Sequence, residues 1–260
     1  MNSQTQIPVL IIGGGVVGLS ASLFLSYHGI SSIVVERHTG TSIHPRARSV
    51  NARTMELYRH LGIDGRVHEA GASISASAGI YSGQSVKEII EPVPRKEGPR
   101  KLPLVGLIGP LSPSTGTFVT QDMLEPVLVD TARENGGKVI FNTECLGVEQ
   151  VGNGVVATLK DRLSGVVSTV RAEYLIAADG AKSPIRARLK VPTIGKGGMG
   201  HLLNILFSAD LKSFVQQREF SICAIERPEV CGLLTSINNS DRWVFHLSVS
   251  LNPSAAALVH

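Results

Sequence analysis

Val9-Leu10-Ile11-Ile12 runs directly into Gly13-Gly14-Gly15, and apolar sequence then resumes from Val16 to Tyr27. A continuous apolar run of this kind is the pattern of a strand buried on both faces of a parallel sheet. The stretch after the glycines reads as a helix over Val16 to Tyr27, closed by Gly29 at a C-cap position. Ser32-Ile33-Val34-Val35-Glu36 then reads as a second strand. Strand, helix and strand make one βαβ unit, right-handed by default. Val9 to Leu25 has nearly the length of a membrane span, but its four glycines and the short polar residues after them break it into strand, turn and helix.

Gly13-Gly14-Gly15-Val16-Val17-Gly18 fits GxGxxG and stands where such a loop must stand, after a strand and at the start of a helix. Gly13 permits the tight turn, Gly15 lets the main chain approach a pyrophosphate, and Gly18 lets helix and strand pack closely. Val17 lies in the first helical turn, where free N–H groups and a partial positive charge attract an anion. Glu36, 18 residues past Gly18 at the end of the second strand, can accept hydrogen bonds from both ribose hydroxyls. A carboxylate there repels a 2′-phosphate, so the site suits the adenosine of FAD or NAD rather than NADP. The alternative is a glycine turn of purely structural purpose.

Further along, Ala52 to Leu61 reads as a helix closed by Gly62. From about Gly71 to Pro113 the texture changes to Ser, Gly and Pro with short apolar pieces, an excursion outside the first unit. Helical order returns at Thr120, a good N-cap, and runs to Asn135 before Gly136-Gly137. Lys138 to Phe141 is a strand. Three alternating segments at about Glu144–Val151, Gly154–Lys160 and Val166–Arg171 suggest a small antiparallel meander. Tyr174 to Ala178 is a buried strand ending at Asp179-Gly180. Beyond a glycine-rich stretch at Gly195–Gly200, the segments His201–Leu211, Glu219–Glu226, Cys231–Ile237 and Arg242–Ser250 read as a second, mostly antiparallel domain, with Trp243 and Phe245 as core.

Two basic or acidic constellations have two readings each. Arg46 and Arg48, at i and i+2 beyond the second strand, either neutralise a pyrophosphate from outside the glycine turn or belong to a solvated basic loop. Asp179-Gly180, with Ser183-Pro184 after it, either faces a cofactor or caps the next helix. His28, His38, His60 and His68 read as helix-face or loop residues. There is no HExxH, GxSxG or Walker A sequence, which removes the simplest zinc, hydrolase and NTPase readings. The net charge of +4 is spread along the chain without a like-charge block, so a nucleic-acid tail is not expected. Three cysteines without a CxxC fit a reducing compartment, and Met1 to Pro8 lacks the order of a signal peptide; cytosol is the default.

The GxGxxG, the stretch ERHTGTSIHPRAR from Glu36 to Arg48, NARTMELYRHLGI from Asn51, the Thr120-Gln121 helix start and DGAKSPIR from Asp179, in this order, resemble the class A flavoprotein aromatic hydroxylases. The phenol and polyketide hydroxylases are the nearest subgroup. The resemblance implies an α/β fold: a Rossmann-like FAD-binding domain of the glutathione-reductase type over residues 1–75 and 105–190, with a parallel sheet and a three-stranded meander. A mostly antiparallel β domain for substrate would occupy 76–104 and 191–260. It also implies that Gly13, Gly15, Val17 and Gly18 cradle the FAD pyrophosphate and Glu36 holds the adenosine ribose. Arg37 would lie along the adenine, Arg48 and Gln121 would contact the phosphate and ribityl side of the flavin, and Arg46 would face the cofactors at the edge. Asp179 and Gly180 would serve both FAD and NAD(P)H.

The implied activity is hydroxylation of a phenolic, aromatic or polyketide substrate with NAD(P)H and O₂. Oxygen transfer demands no acid–base pair of the protein, because the cofactor carries the difficult chemistry. One departure from the family pattern is the absence of any Gly-Asp dipeptide, which in the family follows the substrate sheet. The chain is accordingly expected to correspond to the N-terminal half or more of such an enzyme. Two other readings follow: a truncated FAD-binding relative that is non-catalytic or depends on a partner chain or homo-oligomer, and an NAD-dependent dehydrogenase. The Arg46/Arg48 pair and the Asp179 turn count against the dehydrogenase.

Overall fold

Val9 to Ile12 can lose water on both faces only in the middle of a sheet, and the computed structural model puts it there. The structure describes residues 6–74, 79–90, 112–197, 200–227 and 229–248. Expectations that fall on residues 76–78, 91–111, 198–199 and 249–260 lie outside them. The chain divides into two compact units: Met1–Ala47, Thr54–Ala70 and Val119–Thr193 form the first, and Arg48–Arg53, Gly71–Phe118 and Ile194–His260 the second.

In chain order the elements are β1 (Gln6–Ile12), α1 (Val16–Tyr27), β2 (Ser32–Val35), β3 (Ser49–Val50), α2 (Ala52–His60), α3 (Asp64–Ala70), β4 (Ile80–Gly83), α4 (Val86–Ile90), β5 (Thr117–Phe118) and α5 (Gln121–Glu134). They continue with β6 (Lys138–Ile140), β7 (Thr143–Val151), β8 (Gly154–Asp161), β9 (Val167–Ala177), α6 (Pro184–Arg188), β10 (Leu202–Ser208), α7 (Lys212–Val215), β11 (Ile222–Glu226), β12 (Cys231–Ser236) and β13 (Arg242–Ser248).

The sheet of the first unit has the order β6-β2-β1-β9-β8-β7. β6, β2, β1 and β9 are parallel, while β8 is antiparallel to both β9 and β7. Side chains alternate across β1 as the pleat requires. Val9 and Ile11 pack on one face with Val34, Ala21 and Leu25, while Leu10 and Ile12 pack on the other with Val35, Ala157 and Leu159; Ile7, near the start of the strand, joins the second cluster beside Ala172. Leu10, Ile11, Leu19 and Val34 are fully buried. α1 lies over the first face and also contacts α5.

Two expectations change here. The third meander segment and the strand expected at Tyr174–Ala178 are one strand, β9, because Ala172 and Glu173 contain no breaker between them. Its first half pairs with β8 and its second half with β1, so Ala172 sits opposite both Val155 and Ile7. The meander is therefore an extension of the parallel sheet. Thr120 stands at the N-cap position of α5, but its hydroxyl makes no capping hydrogen bond. The helix α3 is additional to the helices expected from periodicity; at seven residues with one buried side chain, Val67, it carries too short a pattern to announce itself.

The second unit is a five-stranded sheet in the order β10-β13-β12-β11-β4. All of its pairs are antiparallel except β4 on β11. Trp243 is fully buried in its core with Phe220, Cys223 and Leu234, and the Trp243 indole N–H donates to the Ala209 carbonyl at 2.9 Å. Phe245 packs against the same cluster. A two-residue ladder joins β3 to β5.

Leu10 is fully buried on the central strand of the first unit, so Leu10→Ala should leave a cavity that little can fill. The expected loss is about 2–5 kcal/mol, read from denaturant unfolding. An unfolding midpoint equal to that of the parent would show that the β1 core is not as close-packed as described.

Candidate functional site

The chain reverses at Gly13, whose φ of +109° no side chain-bearing residue adopts without strain. A Cβ there would also strike the Ala178 carbonyl, and a Cβ on Gly18 would strike the carbonyl of Gly13. Gly15 differs from both. A Cβ on it would meet only Glu125 Oε1, at 3.6 Å, so its other side is open. Gly15 is also the N-cap residue of α1, and neither a side-chain cap nor an acidic residue covers the first turn. The free amides of that turn and the helix dipole therefore face an unfilled space, the arrangement that takes an anion.

That space is a cleft of about 510 Å³, lined within the first unit by the glycine turn, the ends of β1, β2 and β9, and the segment from Arg37 to Arg46. Glu36 stands just past β2. One carboxylate oxygen accepts from the Gly14 N–H at 2.7 Å, and the other from the His38 N–H at 2.9 Å and from its ring. An ionised carboxylate has acceptor capacity beyond these bonds, so it can still take ribose hydroxyls. Arg37 and Arg46 bring positive charge to the rim, and Gln121, Asp179 and Gly180 also line the cleft.

Most of the expected residues thus converge: Gly13, Gly15, Glu36, Arg37, Arg46, Gln121, Asp179 and Gly180 all line one cleft. Gly18 shapes the turn from behind. Val17 is exposed on the first turn of α1 and does not line the cleft, so only its main-chain N–H is offered to an anion. Arg48 is not among the lining residues. Ala47 takes a left-handed φ of +49°, so Arg46 and Arg48 are not alternate positions of an extended strand. Arg48 belongs to the second unit, where its guanidinium donates to the Ser221 carbonyl at 3.1 Å and lies over the Phe118 ring. Burial pushes the Arg48 pKa below its ordinary value, although the group stays a cation. The Asp179 carboxylate accepts from the Ile185 N–H at 3.3 Å while lining the cleft, and Ser183 makes the shorter capping bond, from the Arg186 N–H at 2.9 Å.

Glu125, His44 and Cys145 also line the cleft and are not among the expected residues. Glu125 is almost completely buried; its oxygens accept from the Ser42 N–H at 2.6 Å and from Gln121 Nε2 at 2.6 Å. Nothing in a helical apolar pattern separates such a carboxylate from an ordinary polar position, and its place four residues after Gln121 is the one sign. His44, inside the ERHTGTSIHPRAR stretch, has both ring nitrogens buried without a hydrogen-bond partner among the described residues. Polar atoms so placed are normally satisfied by something that enters the site. Cys145 lies at the bulge between β7 and β8, and burial pushes its thiol pKa up.

Comparison with known proteins gives a consistent result. Residues 6–256 match the family described as FAD binding domain. The chain is 42% identical over 245 residues to a protein of Streptomyces halstedii provisionally named a polyketide hydroxylase, covering 93% of this chain and 43% of that protein. It is 39% identical to the tetracenomycin A2 monooxygenase-dioxygenase of Streptomyces glaucescens, covering 94% of this chain and 46% of that one. Among solved structures, a ternary complex of aklavinone-11 hydroxylase with FAD and aklavinone superposes with a TM-score of 0.83 at 30% identity, over 100% of this chain and 50% of that chain. The chain spans about half the length of the curated relatives it matches.

Glu36→Ala removes the acceptor for the Gly14 N–H and leaves it without its partner at a partly buried turn. Stability should fall by about 1–3 kcal/mol, visible as an earlier thermal transition. An unchanged transition would mean that the carboxylate does not hold the glycine turn in solution.

Proposed function

The chain belongs to the FAD binding domain family, and from that premise we infer that it holds FAD in the cleft of the first unit and serves the hydroxylation of an aromatic, polyketide-type substrate by O₂, with NAD(P)H as reductant. The observation that carries this reading is the uncapped first turn of α1 facing the open side of Gly15, with Glu36 at the end of β2. A pyrophosphate fits the first and a ribose the second. The orphaned ring nitrogens of His44 fit a ligand with polar groups in the same cleft.

In this reading Gly13, Gly15, Gly18 and the Val17 amide hold the pyrophosphate, Glu36 the adenosine ribose, and Arg37 the adenine side. Gln121, Arg46, Asp179 and Gly180 line the flavin side. Arg48 is assigned to bracing the second unit through Ser221, and the β10–β13 sheet to enclosing substrate. FAD supplies the electron-transfer and oxygen chemistry; the chain's share is binding, orientation and exclusion of water. The relatives' names support the substrate class, since they are polyketide hydroxylases and tetracenomycin oxygenases. A cytosolic setting belongs to the same reading and is supported by three cysteines that are all free thiols. No helix among the described residues is long and apolar enough to cross a membrane.

The purified chain mixed with FAD and freed of excess should keep a bound-flavin absorption band, bleach with NADH or NADPH, and yield a phenolic product about 16 mass units heavier, the mass of the one oxygen atom that a monooxygenase's cofactor transfers. Gly15→Val should keep the thermal transition, because the space around Gly15 is open, while FAD retention is lost. A colourless parent protein, or a Gly15→Val variant that binds FAD as the parent does, would overturn the reading.

A further inference from the structure

The segment from Ser42 to Arg46 has no regular structure, yet it is joined at two points to the first turns of α5. The Gln121 N–H donates to the Arg46 carbonyl at 2.9 Å, and the Ser42 N–H donates to Glu125 Oε2 at 2.6 Å. Glu125 is 2% exposed and forms no ion pair among the described residues. A buried carboxylate without a cation must be satisfied by hydrogen bonds. Here each oxygen has one.

The Gln121 NH₂ donates to Glu125 Oε1 at 2.6 Å, while Glu125 Oε2 is taken by the Ser42 N–H. That fixes the amide. With Nε2 turned inward, the carbonyl oxygen of Gln121 is the end left for the cleft it lines, and it takes no hydrogen bond among the described residues. We propose that Glu125 is a positioning residue that locks the Gln121 amide with its acceptor toward the cofactor, so that this position receives a hydroxyl donor of the ribityl chain and not a phosphate oxygen. A phosphate oxygen is itself an acceptor and finds no donor there. The proposal rests on the FAD reading given above and deepens it at one position.

Glu125→Gln tests the lock without emptying the site. The amide introduced at position 125 can keep the Ser42 bond through its own carbonyl, but its NH₂ then meets Gln121, which must rotate to accept it. All internal hydrogen bonds survive, while a donor replaces the acceptor in the cleft. The expected result is an unchanged thermal transition, FAD affinity lowered about tenfold by titration calorimetry, a loss of about 1.4 kcal/mol, and unchanged affinity for ADP, which lacks the ribityl chain. Combining Gln121→Glu with Glu125→Gln returns an oxygen to the cleft, because the amide at position 125 donates to the carboxylate at position 121. That double variant should regain most of the FAD affinity. In the parent without ligand, the Gln121 side-chain NH₂ should be protected from hydrogen exchange, and in Glu125→Gln it should not.

Equal losses for FAD and ADP, no loss of FAD affinity, an unrescued double variant or an unprotected NH₂ in the parent would each overturn the proposal. Should Glu125→Gln fold poorly, Gln121→Leu replaces it, with FAD affinity lowered and ADP affinity kept as the supporting result and equal losses as the opposing one. A parent chain that binds ADP but not FAD would sink the functional reading instead, leaving the exchange measurement to judge the Glu125 contact alone.

Discussion

A doubly buried strand has to deliver its chain to a helix in three residues, and the fold of the first unit follows from how tightly that reversal is built. β1 ends against β2 on one side and β9 on the other, so the turn at Gly13 is walled by main chain: the Val35 carbonyl accepts the Gly13 N–H at 2.9 Å, and the Ala178 carbonyl occupies the place of a Cβ. The Gly13 carbonyl in turn closes on Gly18. Once those contacts are made, the direction of α1 is set, and its first turn can point only along the carboxyl end of the sheet. Ligand sites of open α/β sheets lie beyond that edge. The cleft is thus a by-product of packing β1 at the centre.

What surrounds the cleft is held by hydrogen bonds more than by apolar packing. The loop from Arg37 to Arg46 has little buried hydrocarbon and takes its shape from the Glu125 and Glu36 carboxylates and from the α5 main chain. Both carboxylates serve amide donors of the cleft's own walls. In a low-dielectric pocket such bonds are stronger than on the surface, and the penalty for breaking one is larger. The site is therefore preorganised electrostatically, with cations at its rim from Arg37 and Arg46 and acceptors inside from Glu36, Glu125 and Asp179.

Much of the fold was legible in the sequence, because its signals are of the kind that local chemistry writes down. The span Val16–Tyr27 is the helix found, and the strands at Ser32, Lys138, Cys231 and Arg242 start where apolar pattern and turn residues placed them. Eight of the expected cofactor residues gather in one cleft. What was not legible depends on three-dimensional neighbours. β9 looked like two strands because its first half alternates, half exposed, whereas its second half lies beside β1; one strand can carry two patterns when its partners change along its length. Arg48 sits two residues from Arg46, yet a left-handed Ala47 separates their surroundings. Beyond its spacing from Gln121, Glu125 gives no sequence sign, since a buried acid on a helix differs from a solvated one only through Ser42 and Gln121.

The pairing of β9 has a consequence for how the protein is made. Gln6 lies opposite Arg171 and Ile12 opposite Ala177, so the innermost strand of the first unit waits for residues encoded near the far end of that unit. Between them runs Gly71–Phe118, which belongs to the other unit. During vectorial synthesis on the ribosome, β1, α1 and β2 emerge early with an apolar edge that has no partner, for as long as translation takes to reach β9. Such non-local strand pairing slows folding and leaves strand edges exposed to association. The soluble yield of the chain should therefore depend on translation speed and temperature.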